Sequence, residues 1–117
     1  MASRYKEAIT ALRRAAALSP DDIHLWLGLG WCYKRTRQMN LAIESLNEAV
    51  VIEPGSSLIH YNLACYWSLA GNKNQALQYL STAIDIDSDY RDLLDTESDL
   101  DPIREDPEFL ALTNVIV

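Results

Sequence analysis

The sequence predicts an all-α fold in which pairs of antiparallel helices stack on one another. Apolar residues recur at intervals of three and four in five successive segments, the spacing that places them on one face of a helix. Residues that end or cap helices, such as Pro20, Pro54 and Gly71, separate these segments. The same order of large and small side chains also returns about every 34 residues, as in stacked helix-pair repeats.

The boundary residues define each helix in turn. The first helix ends at Ser19-Pro20, and Asp22 can cap the start of the next because its carboxylate accepts hydrogen bonds from free backbone N–H groups. Pro54-Gly55 forms the turn between the two helix pairs, and Gly71 suits the left-handed backbone at a helix end. The predicted helices cover residues 4–18, 22–34, 40–52, 57–69 and 74–86.

One stretch carries a recognisable pattern, Trp26-x-x-Leu29-Gly30-x-x-Tyr33, followed at fixed distances by Ala42, Leu46, Ala49 and Pro54. One period later stand His60, Leu63, Ala64, Trp67, Ala76, Leu80, Ala83 and Ser88, and one period earlier stand Ala8, Leu12, Ala15 and Pro20. This spacing resembles the tetratricopeptide repeat (TPR), a helix–turn–helix unit. Three positions depart from the pattern: Leu46, where an aromatic residue is common, His60 and Ser88.

The resemblance implies a right-handed TPR helical solenoid with half a repeat, two full repeats and C-terminal capping helices. We expect a single domain over residues 1–117. Residues 4–22 would be the second helix of a truncated repeat, 23–56 and 57–90 two full repeats, and 91–117 an acidic capping segment. A solenoid needs such a last element, with one apolar and one polar face.

The C-terminal segment contains two possible helix starts, Asp101-Pro102 and Asp106-Pro107, each with the order of an N-cap followed by proline at the first helical position. A short helix is also predicted near residues 90–96. The stretch Asp-Leu-Asp-Pro-Ile-Arg-Glu-Asp-Pro-Glu-Phe is similar to the terminal segment of many bacterial TPR arrays. We expect Phe109 and Leu112 to face inward.

Charge is unevenly distributed along the chain. The net charge is −7, but residues 85–108 carry eleven acidic against two basic residues, a net −9, so the remainder is +2. Nucleic-acid binding needs clustered Lys and Arg and is therefore not expected. The sequence shows neither a signal-peptide pattern nor an apolar run suited to a membrane span, so we expect a cytoplasmic location.

No catalytic or metal-binding motif is present. Cys32, Cys65, His24 and His60 lack metal-ligand spacing, and we expect the two cysteines to be reduced and apolar in their surroundings. Phosphate loops and nucleophile elbows are also absent from the sequence. We therefore expect neither enzymatic activity nor a cofactor.

The first helix of each full repeat has apolar side chains on two sides, so neither helix is simply amphipathic. In the TPR family the second side looks into a concave groove that binds peptides. The resemblance therefore implies a groove lined by His24, Leu27, Trp31, Lys34, Arg35, Tyr61, Asn62 and Cys65. Packing against neighbouring first helices or against the C-terminal segment is the alternative for these residues, although Trp31 and Tyr61 favour the groove because each combines a ring with a polar group.

These observations predict a non-enzymatic protein–protein interaction module, a scaffold or adaptor that binds a peptide or partner segment. The alternatives are a self-assembling TPR unit and a regulatory fragment of a larger protein. The first helix lacks its own partner helix, so the flank around Ile9, Leu12 and Ala16 is expected to face water. That exposed flank predicts a weak homodimer through the open N-terminal helix.

Overall fold

The computed structural model describes residues 2–113, with side chains from residue 4 onward. Each of the five predicted helices is present, with ends that lie within two residues of the expected ones. The C-terminal part forms two short 3₁₀ helices, η1 and η2, and a last α-helix. The elements are α1 (Ala2–Leu18), α2 (Ile23–Arg35), α3 (Met39–Ile52), α4 (Ser57–Leu69), α5 (Lys73–Ile86), η1 (Ser88–Leu93), η2 (Ser98–Ile103) and α6 (Pro107–Thr113).

The contacts between residues divide the chain into two compact units, one ending at Pro54 and one beginning at Gly55. In the first unit α2 packs against both α1 and α3. In the second unit α4 packs against α5 and η2, while α5 also contacts η1 and α6. The division falls at the Pro54-Gly55 turn, where the sequence predicts the junction of the two full repeats.

Side chains at the periodic positions form the core of each unit. In the first unit Leu46 and Ala49 are fully buried, and Leu29 is nearly so. Their counterparts one period later, Leu80 and Ala83, are fully buried in the second unit. The repeat pattern in the sequence therefore predicts which side chains the two helix pairs bury.

Asp22 and Asp106 cap helix starts as predicted, and Asn72 is a cap that was not predicted. The Asp22 carboxylate accepts a hydrogen bond of 3.0 Å from the His24 amide, and Asn72 accepts one of 3.1 Å from the Gln75 amide. Asp106 accepts a 2.8 Å bond from the Glu108 amide at the start of α6, so Asp106-Pro107 is a cap followed by proline, as expected.

The turn after the first helix of each full repeat contains a left-handed residue. Gly71 has φ +85° and Arg37, one period earlier, has φ +61°. The 34-residue register could have identified Arg37, because it places that residue at the position that glycine occupies in the next repeat. A side chain in this conformation costs about 1–2 kcal/mol, a cost that glycine avoids.

The structure corrects the prediction that Ile9 and Ala16 face water. Both side chains are buried, with 9% and 3% of their surface exposed. Close approach of α2 to α1 explains this, since a Cβ atom at Gly28 would lie only 3.4 Å from a Leu12 methyl group. Contact with α2 thus covers much of the flank on which the weak homodimer was predicted.

The C-terminal segment, residues 88–113, also differs from expectation at one of its two proline sites. Pro102 lies inside η2, and the N-cap of that helix is Glu97, whose carboxylate accepts a 3.3 Å hydrogen bond from the Asp99 amide. Asp101 instead faces Arg104, with 3.0 Å between a carboxylate oxygen and Nε. The Asp101-Pro102 pair therefore lies within a 3₁₀ helix that starts three residues before Asp101.

Arg104 connects the parts of this segment. Its terminal nitrogens donate to the backbone carbonyls of Leu94 and Glu97 at 2.8 and 2.7 Å. Its guanidinium carbon also lies 5.4 Å from the centroid of the Phe109 ring. The planar fork of arginine can reach two carbonyls and cover a ring at once, which the ammonium group of lysine cannot do. Sequence periodicity gave no sign of this role.

We expect Phe109→Ala to destabilise the chain by about 3–5 kcal/mol, because Phe109 is fully buried and its removal leaves a cavity. Thermal unfolding followed by circular dichroism measures the loss. The matched control is the neighbouring Leu110→Ala, since Leu110 is 48% exposed and should cost far less. Equal melting temperatures for Phe109→Ala and wild type would contradict the packing described here.

We expect Arg104→Lys to lower the free energy of unfolding by about 2 kcal/mol, because the two carbonyl groups lose charged hydrogen-bond donors. Chemical denaturation measures this difference. Arg14→Lys serves as the control, since Arg14 is exposed and makes no ion pair among the residues that the structure describes. A loss no larger than that of the control would show that the charge of Arg104, and not its fork, stabilises the segment.

Candidate partner-binding face

An exposed aromatic and cationic group lies where α1 and α2 of the first unit meet. The rings of Tyr5 and Trp31 form an edge-to-face pair with centroids 5.5 Å apart. The Arg35 guanidinium carbon lies 5.8 Å from the Tyr5 centroid and 5.7 Å from the Trp31 centroid. Trp31 and Arg35 are four residues apart and therefore share one face of α2. We call Tyr5, Trp31 and Arg35 the aromatic–cation cluster.

Contacts within the aromatic–cation cluster fix its side chains without covering them. The Nε of Arg35 donates a 3.3 Å hydrogen bond to the Tyr5 hydroxyl, and the cation attracts the negative faces of both rings. Trp31 nevertheless remains 51% exposed, and Arg35 is exposed as well. Within residues 4–113, no carboxylate forms an ion pair with Arg35. The cluster therefore presents an ordered apolar surface beside a positive charge.

The other predicted groove residues of the first unit lie along the same helix. His24 is exposed near the start of α2, while Leu27 and Lys34 are half-buried. Together with Trp31 and Arg35 they follow the three- and four-residue spacing of one helical stripe. Tyr5 was missed by sequence reasoning, because it comes from α1 and belongs to no repeat motif.

The predicted groove residues of the second unit are placed differently. Tyr61 and Cys65 are buried, with 5% and 3% of their surface exposed, whereas Asn62 is half-buried. The ring centroids of Tyr61 and Tyr90 are 5.1 Å apart, and the Tyr61 hydroxyl donates a 3.4 Å hydrogen bond to the Glu97 carboxylate. This corrects the prediction that Tyr61 and Cys65 line an open groove. Packing beneath the C-terminal segment, the alternative drawn from the sequence, is what the structure shows for these two.

Potential metal ligands approach one another beside Tyr61. One donor atom each from Cys65, Glu97 and Asp99 lies within 4.8 Å of the other two. Both oxygens of Glu97 already accept hydrogen bonds, one from the Tyr61 hydroxyl and one from the Asp99 amide. Burying a helix terminus requires such acceptors, so capping of η2 accounts for the position of this carboxylate.

The two cysteines lie in different units and neither forms a disulfide. Both thiols are buried, and burial raises the pKa of Cys32 because a thiolate loses its hydration there. A raised pKa makes a thiol a poorer nucleophile at neutral pH. Cys32 is therefore a packing residue in the first unit.

One concave feature of the first unit was not predicted. It is a cleft of about 530 Å³ that opens between α1 and α3, with α2 as its floor. Across the turn between α1 and α2, the Trp26 indole nitrogen donates a 2.7 Å hydrogen bond to the Pro20 carbonyl. The cleft is lined by Arg13, Ala16, Ala17, Pro20, Trp26, Leu29, Tyr33, Leu41, Glu44, Ser45 and Glu48.

Comparison with known proteins identifies the family. A family model described as tetratricopeptide repeat matches residues 1–64, more than half of the 117 residues. The chain belongs to the tetratricopeptide repeat family. Its fold class is the one predicted, an all-α TPR solenoid. TPR domains generally mediate protein–protein interactions and are generally non-enzymatic.

Individual relatives match most of this chain but only part of their own length. Superkiller protein 3 of Schizosaccharomyces pombe is 28% identical over 87 residues, which span 74% of this chain and 6% of that protein. A crystal structure of MamA protein is 28% identical with a TM-score of 0.72, covering 79% of this chain and 50% of its own. A second MamA crystal structure, 25% identical with a TM-score of 0.72, covers 92% of this chain and 68% of its own.

Within residues 2–113 no helix combines the length and the apolar character needed to cross a bilayer.

Alkaline pH should weaken the second unit through Tyr61. Burial raises the pKa of Tyr61 above its ordinary value, and Cys65 and Glu97 add to this effect. The folded-state pKa then exceeds the unfolded one, so the stabilisation is complete below about pH 10 and is lost as pH rises further. We expect wild type to lose up to about 1.4 kcal/mol per pH unit there, and Tyr61→Phe to lose less.

Urea unfolding at several pH values tests this expectation. The difference in free energy of unfolding between the two proteins at pH 7 measures the effect of the substitution on packing. This difference is subtracted from the differences at higher pH. Parallel stability curves for wild type and Tyr61→Phe above pH 10 would show that Tyr61 does not carry the alkaline loss.

Proposed function

We propose that this chain is a non-enzymatic interaction module, a scaffold or adaptor, whose aromatic–cation cluster binds an apolar partner segment with an acidic flank. The exposure of Trp31, held between Tyr5 and Arg35, is the observation that carries the proposal. Aromatic and arginine side chains supply most binding hot spots. An exposed tryptophan fixed before binding also loses little conformational entropy when a partner docks.

The charge around the cluster favours an acidic flank on the partner. Arg35 lies within it and Lys34 precedes it on α2, while Arg4 and Lys6 are exposed on either side of Tyr5 in the sequence. A carboxylate can accept two parallel hydrogen bonds from the guanidinium of Arg35. The partner expected from these groups is a short segment with one large apolar side chain next to Asp or Glu.

The proposed face is smaller than the groove predicted from sequence. His24, Leu27, Trp31, Lys34 and Arg35 remain in the proposal, joined by Tyr5. Asn62 remains a half-buried candidate in the second unit, whereas Tyr61 and Cys65 are covered by the C-terminal segment. With Ile9 and Ala16 buried, α1 offers less apolar area for a symmetric homodimer, and we regard that dimer as the less favoured arrangement.

We also propose that the chain acts in the cytoplasm and binds neither nucleic acid nor membranes. The acidic net charge of −7 and the absence of a basic stripe along the sequence support the part of this proposal that concerns nucleic acid and membranes.

Selection from a library of displayed peptides tests the binding face. We expect wild type to enrich peptides with a large apolar residue beside Asp or Glu. A synthetic peptide from that selection should bind Trp31→Ala about 30-fold more weakly, the equivalent of about 2 kcal/mol for the loss of a central aromatic anchor. Isothermal titration calorimetry measures the difference.

Val51→Ala is the matched control, because Val51 is 78% exposed on α3 and its loss should leave affinity unchanged. Circular dichroism shows whether both variants keep the wild-type fold. Equal affinity of wild type and Trp31→Ala, or no enrichment by wild type, would overturn the proposal.

A further inference from the structure

The two ends of the chain carry opposite charge. Residues 1–37 contain seven Lys and Arg against three Asp and Glu, a net +4. Residues 85–108 contain eleven acidic against two basic residues, a net −9. Opposite potentials on two surfaces of one molecule attract those surfaces in different copies.

Several acidic side chains already form ion pairs or hydrogen bonds within the second unit. Asp101 pairs with Arg104, and Asp106 pairs with Lys73 at 2.9 Å. Glu97 accepts hydrogen bonds from Tyr61 and from the Asp99 amide, while Asp87 accepts one of 3.0 Å from the Asp89 amide. These carboxylates hold the segment together and are not available to another molecule without loss.

Among the carboxylates that are not used in this way, three lie in or just after η1. The side chains of Asp89, Asp92 and Asp95 are exposed, and none forms a hydrogen bond or ion pair with the residues that the structure describes. Asp89 and Asp92 are three residues apart in η1, and this spacing places them on the same side of a 3₁₀ helix. Leu93 lies beside them with 46% of its surface exposed. We call Asp89, Asp92, Leu93 and Asp95 the acidic patch.

The acidic patch has the composition that the aromatic–cation cluster is proposed to bind, an apolar side chain flanked by carboxylates. We propose that the acidic patch of one copy docks on the aromatic–cation cluster of a second copy. Leu93 then packs against the exposed Trp31 ring, and a carboxylate of the patch pairs with the Arg35 guanidinium. This inference rests on the proposed function, since it names the partner of the same face.

Contact between two different surfaces has a consequence for the assembly. After one contact, the pair retains a free patch on one copy and a free cluster on the other, so a third copy can add at either one. Such head-to-tail contacts produce closed rings or open chains, unlike the symmetric pairing that α1 alone would give. The assembly should also weaken with salt, because the Debye length falls from about 10 Å at 0.1 M to about 3 Å at 1 M.

Complementary charge reversals test this arrangement in the full chain. Arg35→Glu disables the cluster and leaves the patch, whereas Asp92→Lys disables the patch and leaves the cluster. Light scattering over a range of concentrations should show wild type growing beyond two chains at low salt. Each variant alone should associate about a hundredfold more weakly, because like charges then face each other.

An equimolar mixture of the two variants is the decisive measurement. It retains the wild-type contact between the cluster of Asp92→Lys and the patch of Arg35→Glu. In the other contact, the glutamate introduced at position 35 faces the lysine introduced at position 92, so opposite charges meet there as well. We therefore expect association to return in the mixture, with the two variants alternating. Arg14→Glu and Asp85→Lys are the matched controls, since they change the same charges at exposed positions outside the cluster and the patch. Both controls should assemble as wild type does.

Three results would overturn the inference. One is a mixture that remains single chains, and another is an equal loss of assembly in the controls, which would indicate that net charge alone drives association. A wild type that stays single at every concentration, yet still binds selected peptides through Trp31, would also overturn it. That last result would leave the proposed function in place, with another protein as the source of the acidic segment.

Discussion

The close approach of paired helices is the constraint on which this structure depends. Neither helix of a pair can bury its apolar face alone, so the two backbones must come near enough for larger side chains to interlock. Fully buried alanines, Ala42 in the first unit and Ala76 in the second, make this approach sterically acceptable. Gly28 does the same where α1 meets α2. That last contact also brings Tyr5 to Trp31, so the packing of small residues determines where the exposed aromatic surface forms.

Features governed by local spacing could be predicted from the sequence. Helix positions, the caps at Asp22 and Asp106, and the buried periodic residues depend on neighbours three or four positions away or on one repeat period. The burial of Tyr61 depends instead on the path of residues 88–113, which follow no repeat pattern. The same is true of Arg104, since its acceptors Leu94 and Glu97 are fixed by the fold of that segment. A wheel diagram of α4 cannot show which of its faces a non-repetitive segment will cover.

The residues of the candidate site also divide into those that periodicity predicts and those that it does not. The helical spacing of α2 predicts that Trp31 and Arg35 share one face. The position of Tyr5 depends instead on how α1 packs against α2, which sequence periodicity does not determine. An aromatic residue near the start of an otherwise alanine- and arginine-rich helix was the available signal. Charge segregation was visible in the sequence from the start. Only the structure separates the carboxylates that cap or pair internally from Asp89, Asp92 and Asp95.

Because residues 88–113 cover one face of α4, the rate at which solvent reaches that face depends on this segment. Residues 88–113 contain two six-residue 3₁₀ helices and one seven-residue α-helix, each about half as long as the neighbouring helices α4 and α5. Segments of this kind open at a lower free energy than the helix pairs beside them. The rate at which the Cys65 thiol reacts with a solvent-borne reagent is then governed by how often the segment lifts from α4. How often the segment opens therefore determines how accessible that face of α4 is, and we expect amide exchange in η1 and η2 to be faster than in α4.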